Sequence, residues 1–211
     1  MNQTEKQEYP HQIGKFSTAH SFLTISNDGF EIDKVKFFAA EYNLKGPRTV
    51  EAENAKAFFT LDTDKFLELC SLIESDRINN KIEQLMEMDG KLPWTTLRSY
   101  NGGSNRSDGT VEARTMTVSM TVSEKTDKNG KTVKKPLFQI NIARGPGKLI
   151  GNGLMAFKGK PPVSISVTMG YEDIKGVLFQ VREHYRAFLT SQYCAGAINY
   201  HFETTSTRRA G

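Results

Sequence analysis

Apolar and polar residues alternate with a period of two over several stretches of this chain and take helical spacing over three others. From Phe16 to Tyr42, FSTAHSFLTI and FEIDKVKFFAAEYNL flank Asn27-Asp28-Gly29, predicting a hairpin or meander that Lys45-Gly46-Pro47 closes. AKAFFTL reads as another short strand. DTDKFLELCSLIES then changes to helical spacing, with Phe66, Leu69, Cys70 and Ile73 on one face and Asp62 or Thr63 as N-cap. A second helix is expected over about 77–88, ending at Asp89-Gly90. Further on, Met116, Val118, Met120 and Val122 alternate with Thr and Ser, and Asn129-Gly130 suits a tight hairpin turn because both residues accept positive φ. The return strand LFQINIA puts Phe138, Ile140 and Ile142 on one face and Gln139 and Asn141 on the other. VSISVTM alternates again, and a long helix follows over about 172–193.

The two strand-to-helix junctions overlay without a gap at an offset of 108 residues. Ala57–Leu61 falls on Ile165–Met169, and Phe66, Leu69, Cys70 and Ile73 fall on Ile174, Val177, Leu178 and Val181. That predicts an α+β protein made of two related units, each several antiparallel strands followed by one helix, packed as one domain. The expected divisions are a flexible arm (1–12), a first unit (13–90), a flexible linker or loop (91–114), a second unit (115–195) and a tail (196–211). SYNGGSNRSDGT (99–110) has no aliphatic side chain to bury, which is why it reads as a mobile surface loop.

Charge adds what the pattern does not contain. Net charge over the 211 residues is only +4. Residues 128–171, however, hold eight Lys/Arg and no acid, while residues 1–127 carry 15 Lys/Arg against 20 Asp/Glu. Clustered charge of this kind points to an anionic partner. Within the cluster, ARGPGKLIGNGLMAFKGKPP (143–162) places glycine beside lysine, as phosphate loops do. A Walker A loop needs a second Gly five residues after the first and a helix to follow. From Gly145 and Gly147 those positions are Ile150 and Asn152, and a double proline comes next. The stretch is therefore read as a flexible basic connection between two strands, and no cofactor is expected.

Catalytic and metal chemistry find no footing in the pattern. Asp62 and Asp64 are explained by helix capping, and His11, His20, His184 and His201 lack ligand spacing. Ser and His fall in no recognisable catalytic arrangement, so the chain is not expected to be an enzyme. Two cysteines make no disulfide framework, and no apolar run approaches the ~20 residues of a membrane span, which favours a reducing, cytoplasmic setting without a membrane partner.

Binding chemistry remains. Arg144, Lys148, Lys158 and Lys160 bracket the glycine-rich stretch, and Lys131, Lys134 and Lys135 flank the hairpin turn. Such a cluster gives sequence-independent, salt-sensitive affinity for a nucleic-acid backbone. The outer face that carries Gln139 and Asn141 also holds Thr115, Thr117, Ser119, Thr121, Ser123, Ser164, Ser166 and Thr168, and no charge at all. Hydroxyls and amides there can line a path for phosphate or base edges. For stacking under bases, Trp94 and Tyr100 stand beside Arg98 and Arg106. Most aromatic residues of the first unit are expected in the core, although only one residue of Phe37-Phe38 or Phe58-Phe59 can point inward.

An antiparallel sheet plus helix, present twice, resembles the Whirly proteins, the Pur-alpha repeat proteins and the transcriptional-coactivator relatives that share a four-strands-plus-helix unit. The resemblance covers about 13–195. Lys158-Gly159-Lys160 looks like the lysine-glycine-lysine motif of Whirly proteins, although Pro161-Pro162 follow where that motif continues with alanines. The resemblance implies binding of single-stranded nucleic acid and self-association into a homo-oligomer. The expected ligand is thus single-stranded DNA or RNA, with DNA favoured. A protein–protein accessory subunit, whose basic strip meets an acidic partner, is the rival reading.

Overall fold

In the computed structural model, residues 12–42, 55–88, 90, 92–105, 108–126, 132–151 and 154–196 are described. Alternating burial in the first third produces four strands: β1 (Gln12–Ser17), β2 (Ser21–Ser26), β3 (Lys34–Glu41) and β4 (Lys56–Asp62). They pair in chain order as an antiparallel meander. Helices α1 (Thr63–Ile73) and α2 (Asp76–Glu87) follow directly. Asp62 stands at the N-cap of α1 but makes no capping hydrogen bond, because its carboxylate pairs with Lys34 on the neighbouring strand.

The second sheet is built from β5 (Thr95–Asn105), β6 (Val111–Thr126), β7 (Thr132–Ile150), β8 (Leu154–Phe157) and β9 (Val163–Gly170). Its order is β5-β6-β7, with β9 also paired to β7 and β8 paired to the far end of β7. Helix α3 (Tyr171–Cys194) closes the chain. Among the described residues the protein is therefore a mixed α+β fold with two antiparallel sheets and three helices.

One contiguous core joins the layers. Leu23, Ile25, Phe37 and Phe59 of the first sheet meet Met116, Val118, Ile140 and Val167 of the second. Strand β9 touches β2, β3 and β4 in turn, so the two sets of strands cross. Phe66, Leu69, Cys70 and Ile73 of α1 and Ile174, Leu178 and Val181 of α3 seal the same core. The helices touch through Cys70 Sγ and the Leu178 carbonyl at 3.9 Å, and through Arg182 Nη1, which donates to Glu74 Oε2 at 2.6 Å. Both pairs are 108 residues apart. Burial pushes the Cys70 thiol up to about 12, so it stays protonated.

Two sequence expectations need correction. The 91–114 segment is not a loop throughout: Thr95–Asn105 is a strand paired along β6, and β6 itself begins at Val111. Its apolar content is low because only Leu97 and Tyr100 pack on the core, and its glycines answer a close approach instead of a turn. Gly103 has φ +149, and a Cβ there would lie 2.1 Å from the Glu112 carbonyl oxygen. Likewise, 143–162 is not a connection throughout, since β7 runs on to Ile150 and β8 follows. At Gly147 a Cβ would sit 2.8 Å from the Ala113 nitrogen, so glycine lets the strand fold closely over β6. The Asn129-Gly130 turn lies outside the described residues; the ladder on either side of it ends at Thr126 and Thr132.

Candidate nucleic-acid interface

Because side chains alternate along a strand, each inward residue of the first sheet has an outward neighbour. Leu23, Ile25, Phe37, Ala57 and Phe59 are buried, which turns Phe22, Thr24, Lys36, Phe38, Lys56 and Phe58 to the other face. Register sets Phe38 opposite Phe58 and Thr24 opposite Phe38. The Phe22 ring lies 5.9 Å from Phe38 and 5.1 Å from Tyr42, centroid to centroid. A row of part-exposed rings thus crosses β2, β3 and β4, and Lys36 and Lys56 flank it, each two residues from the outward ring of its own strand. The Lys36 ammonium stands 5.9 Å from the Phe58 centroid.

The row continues into the second sheet. On β6 and β7, Arg114 and Arg144 occupy the same face as core residues Met116 and Ile142 but lie one step beyond them, past the edge of β4. Arg114 stacks on Phe58, its guanidinium carbon 3.9 Å from the centroid, and its Nε donates to Glu112 Oε1 at 2.5 Å. Arg144 Nε donates to the Lys56 carbonyl at 3.1 Å. Three hollows of about 590, 460 and 570 Å3 follow one another along this line. The first and second share Lys36 and Phe38; the second and third share Glu112 and Arg144. These adjoining hollows, together the trough, run from Gln12 and Phe22 on the first sheet to Lys158 on the second. Its acids are Asp28, paired with Lys36 at 3.2 Å, Glu112, and Asp108 at the far end.

No protein family, curated protein or solved structure compared with the chain matches it. The site therefore stands on its own geometry.

The structure divides the residues singled out from the sequence. Arg144 and Lys158 line the trough, and the Lys158 N–H donates to the Pro146 carbonyl at 2.9 Å. Lys148 on β7 and Lys160 after β8 are exposed near that end without lining it. Lys134 and Lys135 sit at the opposite end of β7. Lys134 is engaged in the fold: its Nζ donates to the Met86 and Met88 carbonyls at 3.0 and 2.8 Å, at the C-terminus of α2. A cation there satisfies carbonyls that have no partner within the helix and complements the helix dipole. Lys134→Met is expected to cost about 1 kcal/mol of stability in chemical denaturation, with affinity for a polyanion unchanged.

Gln139 and Asn141 face away from the trough, and their amides are already engaged within the sheet. Asn141 Nδ2 donates to Ser166 Oγ at 2.8 Å and Ser164 Oγ at 3.0 Å, and Gln139 Nε2 to Thr168 Oγ1 at 3.3 Å. Tyr100 is not an exposed ring: it packs on the core, and its buried hydroxyl has no hydrogen-bond partner among the described residues, with burial pushing it up to about 12. Trp94 is 42% exposed just before β5, away from the row of rings. Arg98 joins Arg77 and Lys81 of α2 around a separate hollow of about 60 Å3. Lys131 and Arg106 lie outside the described residues.

Phe22, Phe38, Phe58, Lys36, Lys56 and Arg114 were not singled out from the sequence. The signal was present in the doublets Phe37-Phe38 and Phe58-Phe59, where alternation forces one ring of each pair outward. Register then brings the two outward rings opposite each other. Among the described residues no group of His, Cys, Asp and Glu could hold a metal ion, and no helix is long and apolar enough to cross a membrane.

Proposed function

We propose that this protein binds single-stranded nucleic acid, DNA in the first instance, without strong sequence preference. The observation that carries this reading is the line of adjoining hollows in which part-exposed phenylalanines are flanked by lysine and arginine. Rings offer stacking surfaces to any base, and cations hold the phosphates between them. Bases must be unpaired to stack in this way, so the reading favours single strands over duplex. An acidic protein partner would be held by the same cations but would have no need of the ring row.

The same proposal takes the fold as a duplicated unit of four strands and a helix, β1-β2-β3-β4-α1 and β5-β6-β7-β9-α3. Its support is the burial of both members at the seven core-facing pairs of the 108-residue overlay: Ala57/Ile165, Phe59/Val167, Leu61/Met169, Phe66/Ile174, Leu69/Val177, Cys70/Leu178 and Ile73/Val181. Equivalent positions also meet each other, Cys70 with Leu178 and Glu74 with Arg182. Contact between equivalents is what a two-fold relation between the units requires. Self-association of whole chains is a separate expectation, read out by sedimentation.

Fluorescence anisotropy with a labelled oligo-dT, its duplex and an oligo-rU tests the binding. The single strand is expected to bind more tightly than duplex. With four phosphates held by Lys36, Lys56, Arg144 and Lys158, log K should fall with log salt at a slope of about −3. Absence of binding at low salt, or a preference for duplex, overturns the reading.

A further inference from the structure

The Phe58 ring is not open in the free protein. Arg114 covers it at 3.9 Å, and Glu112 holds Arg114 in place. The two charged side chains are only 17% and 16% exposed, unlike an ordinary surface ion pair. Such a pair is stronger and less screened than one in open water. Arg114 also stands directly opposite Arg144 in the β6–β7 register. Like charges so placed repel, and an anion beside them relieves the repulsion. In the free protein, Glu112 is that anion on the same strand face, two residues from Arg114.

Resting on the nucleic-acid reading of the trough, we propose that Glu112 is a specificity-determining residue that makes the Phe58 platform conditional on phosphate. The carboxylate occupies the position of a backbone phosphate, and the Arg114 guanidinium occupies that of a base. A ligand that brings only a base cannot displace the pair, because it leaves Glu112 and Arg114 uncompensated. A polynucleotide brings both groups: its phosphate takes over the guanidinium, Arg114 leaves the ring, and the adjoining base stacks on Phe58. The exchange is one of partners only, with no bond made or broken.

The test is a double-mutant cycle read by oligo-dT anisotropy, with circular dichroism showing that each variant is folded. Glu112→Gln keeps the shape and removes the charge. It should tighten binding by about fivefold when Phe58 is present, and by less than about twofold in a Phe58→Leu background. Arg114→Lys retains the charge but loses the planar stack, so it should show the same dependence on Phe58. It also serves if Glu112→Gln does not fold. Equal tightening in both backgrounds would mean that Glu112 acts only as a distant negative charge. That result, or no tightening by either variant, overturns the latch while leaving single-strand binding in place. Failure of the unaltered protein to bind oligo-dT overturns both readings together.

Discussion

Replacing Phe38 and Phe58 together with alanine is expected to lower affinity for oligo-dT by roughly 30-fold to 10⁴-fold, since stacking is worth ~1–3 kcal/mol per base. Both rings are part-exposed on the outer face of the first sheet, opposite each other on β3 and β4. The core beneath them is formed by other residues, so the double variant should remain folded. Anisotropy at a fixed salt concentration, paired with a circular-dichroism melt, separates the two effects. An unchanged dissociation constant in a folded variant would show that the row of rings is not where bases lie. Because the cations are untouched, the salt slope should stay the same while the intercept falls.

One residue away, the opposite outcome is expected. Phe37 is fully buried, its ring 6.2 Å from that of Phe66, between the first sheet and α1. Phe37→Ala should cost about 3–5 kcal/mol, from lost burial and from the cavity left behind. At ~2–4 °C per kcal/mol for a chain of this size, the melting temperature should fall by about 6–20 °C. At temperatures where the variant is still folded, its affinity for oligo-dT should be close to that of the unaltered protein. The pair Phe37 and Phe38 thus separates stability from binding within two consecutive residues. A Phe38→Ala variant that melts as early as Phe37→Ala would contradict the assignment of faces.

The elements with strong periodicity were legible in the sequence for a physical reason. In β9 and α3, one face is almost wholly apolar, and burial follows it residue by residue; in β6 the apolar face is buried as expected, and Ser119 and Thr121 of the opposite face are covered as well. β5 was not legible, because a strand supported by the ladder to β6 needs few apolar side chains of its own, and glycine is required where the backbones of β5 and β6 come close. The candidate site was legible only in part. Charge clustering picked out Arg144 and Lys158, but a linear count of lysines could not anticipate that Lys134 would cap α2. Nor could it anticipate that Lys36 and Lys56, dispersed among acids in the sequence, would share one face with Phe38 and Phe58. Alternation indicates which residues point outward; register, which depends on pairing across the sheet, decides which of them become neighbours.

The length of β7 has a further consequence, for electrostatic range. Lys135 and Lys148 are thirteen residues apart on this single strand. At ~3.3 Å per residue that is on the order of 40 Å of extended chain. Counter-ions screen exposed charges beyond ~8 Å at physiological ionic strength. The acid-free run that looks like one positive segment in the sequence therefore acts as two electrically independent ends. Only the end carrying Arg144 and Lys158 lies within reach of the ring row. Mutating the far end should leave the local potential at Phe58 unchanged, however many lysines are removed there.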